Sequence, residues 1–269
     1  MEKGILVMRP EKLAVIIIVV LGSLLLLGAQ APSETKIYDR SQRDYRIRNV
    51  DPKAKDSDNR RLFSFVEYSL WGAETMLDGQ RVFLVTREER TAEGDRQRWQ
   101  FYLASNPLKL LRTEQELTTR QGKLLETARQ NYSEHFHAFP PNSFPMQLFP
   151  YAGQTVKLTP GAVTPINIIF SPEHKPWEVS LLVDGQETIT VPAGTFACTR
   201  LKVHYQTSDL PGFFKSLPAF LLNRMFPDIL LWVQTQPPHA MVKMQGRLEG
   251  FSSPEKVHEL VKVHESPAT

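Results

Sequence analysis

From Leu13 to Ala29 the chain reads LAVIIIVVLGSLLLLGA, 17 residues without a charge. A stretch of this kind is poorly placed in water, so it limits the folds open to the chain before any other feature does. Continued to Ala31 it holds 19 residues. As a helix it spans roughly 28 Å at about 1.5 Å per residue, close to the hydrocarbon thickness of a bilayer. Lys3, Arg9 and Lys12 precede it. An apolar run behind basic residues is a secretory signal or a single transmembrane anchor.

The exit from the run separates these two readings. Ala29-Gln30-Ala31 has the small-x-small spacing of a signal-peptidase site, and Pro32 would then open the mature chain. Proline lacks an N–H and stiffens the bond before it, so it fits poorly in an extended protease cleft. This favours an uncleaved anchor and leaves cleavage after Ala31 open. No cysteine lies near the end of the run, which excludes lipid attachment to a thiol there. Lys36, Arg40, Arg43, Arg46 and Arg48 follow the run, so the positive-inside count does not orient it. The terminal position and the weakly charged stretch from Pro32 to Asp39, with Glu34 and Asp39 against Lys36, resemble export signals. The expectation is a single pass through a bacterial inner membrane, contacted through Leu13 to Ala31, with the body in the periplasm. A soluble periplasmic body is the alternative if the chain is cut at Ala31.

Beyond the run the composition is that of a globular protein, with 41% apolar and 23% charged residues. Lys plus Arg number 32 against 29 Asp plus Glu, a formal +3, which gives no reason to propose a nucleic-acid partner. Cys198 is the single cysteine, so an intrachain disulfide and a Cys-rich metal cluster are both excluded. The expected organisation is a short tail over 1–12, the anchor or signal helix over 13–31 and a polar spacer over 32–61. A β-rich extracytoplasmic domain over 62–251 and a tail over 252–269 follow. The spacer mixes acids and bases densely, and Tyr38, Tyr45, Ile47 and Val50 are too thinly scattered for a core.

Alternating apolar runs bounded by turn residues predict strands over Leu62–Trp71, Arg81–Glu88, Trp99–Leu103 and Val163–Phe170. Asp78-Gly79 is a turn between the first two. Thr113 to Tyr132 carries Leu117, Leu124, Leu125 and Ala128 at helical spacing, interrupted by Gly122, and predicts a helix; two short amphipathic strands are the alternative. His135 to Pro165 is rich in proline and rings and predicts an irregular connection lying on the body. Glu178–Val183, a tight turn at Asp184-Gly185, Glu187–Val191, the turn Pro192-Ala193-Gly194-Thr195 and the strand Phe196–Tyr205 come next. In that last strand Leu201, Val203 and Tyr205 keep one parity while Phe196 and Cys198 keep the other, which calls for a bulge near Thr199. Cys198 reads as a small buried hydrophobe. Leu210 to Phe226 puts Phe213, Leu217, Leu221 and Met225 on one helical face with Phe220 beside it. It packs on the core or covers a ligand cavity. Ile229–Gln234, Ala240–Gly246 and Arg247–Phe251 read as strands and Glu255–His264 as a short terminal helix.

The run TITVPAGTFACTRLKVHY, Thr188 to Tyr205, resembles the signature of an uncharacterised family of exported bacterial β-rich proteins, domain of unknown function 3108. The family-like turn is Val191, Pro192, Ala193, Gly194, Thr195 and Phe196, and Leu231-Trp232-Val233 matches a later tryptophan-bearing strand. The resemblance covers roughly Val179 to Gly246. It implies a mainly β fold, a curved antiparallel sheet or half-open barrel with minor helices. It brings no catalytic residues and no cofactor.

No glycine-rich phosphate loop, HExxH, nucleophile elbow or calcium loop is present. The nearest metal-like group is Glu134-His135-Phe136-His137, in which alternate imidazoles of a strand share one side. A third ligand would have to come from His174, His204 or His239. Three functions remain open. The first is a membrane-anchored periplasmic module binding an apolar or cell-envelope ligand, lipid or protein, with Phe213, Leu217, Phe220, Leu221 and Trp232 facing it. The second is a structural or assembly protein of the envelope. The third is a metal-assisted hydrolase using His135 and His137.

Overall fold

The computed structural model describes residues 40–51, 65–105, 108–132, 143–169, 176–205, 228–247 and 254–264. These residues form 13 strands in one sheet. They are β1 (Gln42–Asn49), β2 (Phe65–Leu77), β3 (Gln80–Thr91), β4 (Arg96–Ser105), β5 (Leu108–Thr118), β6 (Leu124–Asn131) and β7 (Ser143–Pro145). After a 3-10 segment, Met146–Thr155, come β8 (Val163–Ile169), β9 (Trp177–Val191), β10 (Gly194–Tyr205), β11 (Ile229–Gln234), β12 (Met241–Gly246) and β13 (Lys256–His264). The spatial order is β6-β5-β4-β3-β2-β1-β13-β12-β11-β10-β9-β8-β7. Neighbours are antiparallel except β7 and β8, which are parallel. The mainly β expectation holds. The sheet is open, but β7 from one edge packs against β5 near the other, so it curls around an inner face.

Turn chemistry sets the first wing, β2 to β6. Asp78 and Gly79 both have positive φ, 49° and 82°, which matches the right-handed twist of a two-residue hairpin. Gly122, at φ 82°, turns β5 into β6. The helix expected over Thr113–Tyr132 is therefore corrected to the two-strand alternative. Gln97 pairs with Leu117 and Trp99 with Gln115, so β4 offers β5 a full ladder. A helix with Gly122 in its interior would lose about 1 kcal/mol at that position alone.

The second wing, β7 to β13, and the strand β1 correct further expectations. Asp184-Gly185 does not turn the chain: β9 runs through it. Val183 pairs with Leu201 and Gly185 with Arg200, leaving Asp184 as a bulge. β10 itself pairs with β11 without a shift from Cys198 to Val203, so no bulge lies at Thr199 and Cys198 faces the side opposite Leu201 and Val203. The expected terminal helix is β13, and the segment assigned to a C-terminal tail is the strand between β1 and β12. The segment assigned to the polar spacer contains β1, and Tyr45 within it is buried. In both cases a partner strand supplies the order that sparse apolar residues cannot supply alone. Residues 248–251 lie outside the described residues.

β1 joins the wings, pairing with β13 on one side and with β2 on the other. The core covers the inner face, with Val85, Phe101 and Leu103 from one wing and Val179, Leu181, Leu201, Leu231 and Val233 from the other. The 3-10 segment lies on it: Leu148, Phe149 and Ala152 are fully buried. Gly153 permits the approach, since a Cβ there would overlap Val233 Cγ1. The aromatic connection expected after His135 does lie on the body in its described part, through Phe144, Phe149 and Tyr151. Among the described residues no helix is long and apolar enough to cross a membrane. The Leu13–Ala31 run lies outside them.

Candidate functional site

Strand parity brings an uncommon set of side chains to the inner face where the wings meet. On β3, Arg87 and Glu89 share the parity of Phe83 and Val85, so they point inward with the core and are buried. Their register partners are Leu70 and Tyr68 on β2 and Trp99 and Gln97 on β4. Arg87 Nη2 lies 2.7 Å from Glu89 Oε1, and Nε donates to the same oxygen at 2.9 Å. Trp99 Nε1 donates to Glu89 Oε2 at 3.2 Å. Arg87 Nη1 donates to the Gln147 carbonyl at 2.8 Å, tying the first wing to the 3-10 segment. A buried ion pair of this kind holds because further hydrogen bonds meet its remaining donors and acceptors.

Aromatic rings extend the cluster across β1 to β13. The Arg87 guanidinium sits 4.0 Å over the Tyr68 ring, a cation–π contact. Tyr68 stacks on Tyr45, its register partner, at 4.8 Å. Tyr45 Oη donates to the Met241 carbonyl at 3.0 Å. His258 of β13 meets the Tyr68 ring edge-on at 5.6 Å, with Nδ1 3.4 Å from Tyr68 Oη. Burial, then the positive charges of Arg87 and Lys256, hold the His258 imidazole well below its ordinary value, so it is neutral near pH 7. Burial likewise pushes the Tyr68 phenol up, beyond reach as an acid.

The residues singled out in the sequence fall elsewhere. Trp232 pairs with Arg200, so it faces away from Leu231 and Val233 on the outer side of the sheet. Its Nε1 donates to Glu187 Oε1 at 2.8 Å, and Lys243 Nζ lies 4.9 Å from its ring. It is buried in that polar setting and does not line an apolar inner wall. Phe213, Leu217, Phe220 and Leu221 lie outside the described residues. In the turn from Val191 to Phe196, the Ala193 N–H bonds the Leu260 carbonyl of β13 at 3.1 Å. Gly194 has φ 132°, and the Thr190 and Thr195 hydroxyls meet at 3.0 Å. The turn is a clasp on β13, which lies beyond β11 and β12 in the sheet order.

Cys198 is buried, and desolvation followed by Glu187 pushes its thiol up to about 11. His135, His137 and His174 lie outside the described residues. His204 is 3.6 Å from Asp228, and His239 Nδ1 is 3.1 Å from the Gln234 carbonyl. No group of three metal-type side chains occurs among the described residues. The Arg87–Glu89–Tyr68–His258 cluster went unread in the sequence. Its signal was present: two charges at core parity in RVFLVTREER.

No protein-family model matches the chain, and no curated protein matches it significantly. Among solved structures, it is similar to the β-barrel-like protein of domain of unknown function 1849 from Brucella abortus. That match has 8% identity and a TM-score of 0.43, over 84% of this chain and 97% of the other. It is also similar to the hypothetical lipoprotein YmcC from Escherichia coli. There the identity is 12% and the TM-score 0.30, over 93% and 96% of the two chains. Both scores fall short of a shared fold.

Proposed function

We propose that this chain is a membrane-tethered, extracytoplasmic β-sheet module that acts by binding an apolar or cell-envelope ligand. The carrying observation is the condition of its chemistry-bearing side chains. Glu89 has both oxygens engaged, His258 is kept neutral, and the Cys198 thiol is pushed up to about 11. General bases and nucleophiles work when poised near ambient pH, so these groups support the sheet rather than a reaction. The tether is the charge-free run from Leu13 to Ala31. The resemblance of Thr188 to Tyr205 to domain of unknown function 3108 agrees with an exported β-rich body.

A second reading, a structural or assembly component of the envelope, is favoured by one observation. The inner apolar face is already covered by Leu148, Phe149 and Ala152 in the described residues. One preparation separates the readings. The full chain is extracted from membranes, weighed intact, and its co-purified lipid identified. The expected result is a mass retaining residues 1–31 and a stoichiometric envelope lipid. A mass lacking them shows a released body. A lipid-free protein that cross-links to a single envelope protein selects the assembly reading.

A further inference from the structure

The joint between the wings is narrow on one side. β2 pairs with β3 along Phe65–Leu77, yet with β1 only from Arg46↔Glu67 to Arg43↔Leu70 among the described residues. The inner face of this joint is where Tyr45, Tyr68 and His258 meet, each from a different strand. We propose that this joint is an acid-sensitive hinge, with the first wing swinging away from β1 and β13 when His258 takes up a proton.

The surroundings of His258 carry the argument. Tyr68 and Arg87, from β2 and β3, reach it from the first wing, and Glu89 stands beside Arg87. From β1 it is faced by Ile47, its register partner, with Tyr45 next on the same side. Met244 lies opposite on β12, and Lys256 precedes it on its own strand. Arg43, Arg87, Glu89, Lys256 and His258 are all buried. Glu89, the buried carboxylate of this group, already accepts from Arg87 and Trp99. An imidazolium here would add a positive charge to a desolvated site rich in cations, and it would lose its capacity to accept the Tyr68 hydroxyl proton at Nδ1. Separating the strands returns the ring to water.

The sign follows from burial. A histidine held below its ordinary value stabilises the closed joint above pH about 6.5 and withdraws that support as pH falls. If the ring titrates at about 6.5 when open, the open-to-closed ratio rises about tenfold from pH 7.5 to 5.5. The reading is independent of whether the body binds a ligand.

Spin labels on Thr127→Cys (β6) and Gln186→Cys (β9), in the full chain carrying Cys198→Ala, report the distance between wings. The expected result is one narrow distance at pH 7.5 and a longer population growing at pH 5.5, with the far-ultraviolet signal of the sheet retained. His258→Gln should abolish that growth. No longer population at pH 5.5, equal growth in His258→Gln, or loss of the sheet signal along with the distance each overturns the hinge. If His258→Gln does not fold, imidazole NMR of the parent chain decides. A His258 midpoint below 6.5 that coincides with the distance change supports it, and a midpoint near 6.5 without a distance change overturns it.

Discussion

Glu89 is held by two nitrogens of Arg87 on one oxygen and by Trp99 on the other. Removing the carboxylate alone would leave a buried guanidinium over the Tyr68 ring, so Glu89→Gln should destabilise by about 3–5 kcal/mol in chemical unfolding. Replacing both partners with Leu and Met should cost markedly less, because the desolvation of both charges disappears with them. At Gly153 the constraint is volume. A Cβ added there would overlap Val233 Cγ1, so Gly153→Ala must shift the 3-10 segment, for an expected loss of about 1–3 kcal/mol. Asp44 makes a polar clasp on the outer face of the joint. Its carboxylate accepts Ser69 Oγ at 2.7 Å and lies 2.6 Å from His264 Nε2. Burial raises its carboxyl, but the bonds from His264, Ser69 and Gln42 and the charge of His264 outweigh this and hold it below the usual range. Its support is therefore present above the ordinary carboxylate value and lost as pH falls through the lowered one. Asp44→Asn should flatten the fall in thermal midpoint between pH 5 and pH 2.5.

Strands account for most of the differences between pattern and structure. β13 was unreadable as a strand because KVHELVKVH offers no strict alternation: Lys256 and His258 occupy inner positions that a pattern assigns to apolar residues. β1 hid for the same reason, with Arg43 buried and Tyr45 as its one large inner ring. Between them they form the middle of the sheet. A chain ending at Glu255 should lose its cooperative transition, since β1 and β12 each lose a ladder partner; circular dichroism on heating tests this. Elsewhere the local chemistry was sufficient. Asp78-Gly79, the turn at Pro192 to Thr195 and the strands at Ile229 and Met241 could be read because turn residues and short apolar runs occur together.

The two wings depend on each other for cover. Val85, Phe101 and Leu103 of the first wing belong to the core cluster that contains Leu148 and Phe149 of the connection between β7 and β8. A fragment of residues 65–132 should therefore not fold cooperatively, and its thermal scan should show no transition. What could be read along the chain was local: the apolar run of Leu13 to Ala29, the β-rich character, the turns at Asp78-Gly79 and Pro192 to Thr195, and the burial of Cys198. These depend on neighbours within a few residues, where composition and period are legible. The inner cluster, the outer placement of Trp232 and the central position of β1 and β13 depend on register between distant segments, which for Gln42 and His264 lie more than two hundred residues apart. A one-residue shift in register sends a side chain to the other face, so it took the folded sheet to put Arg87 and His258 inside and Trp232 outside.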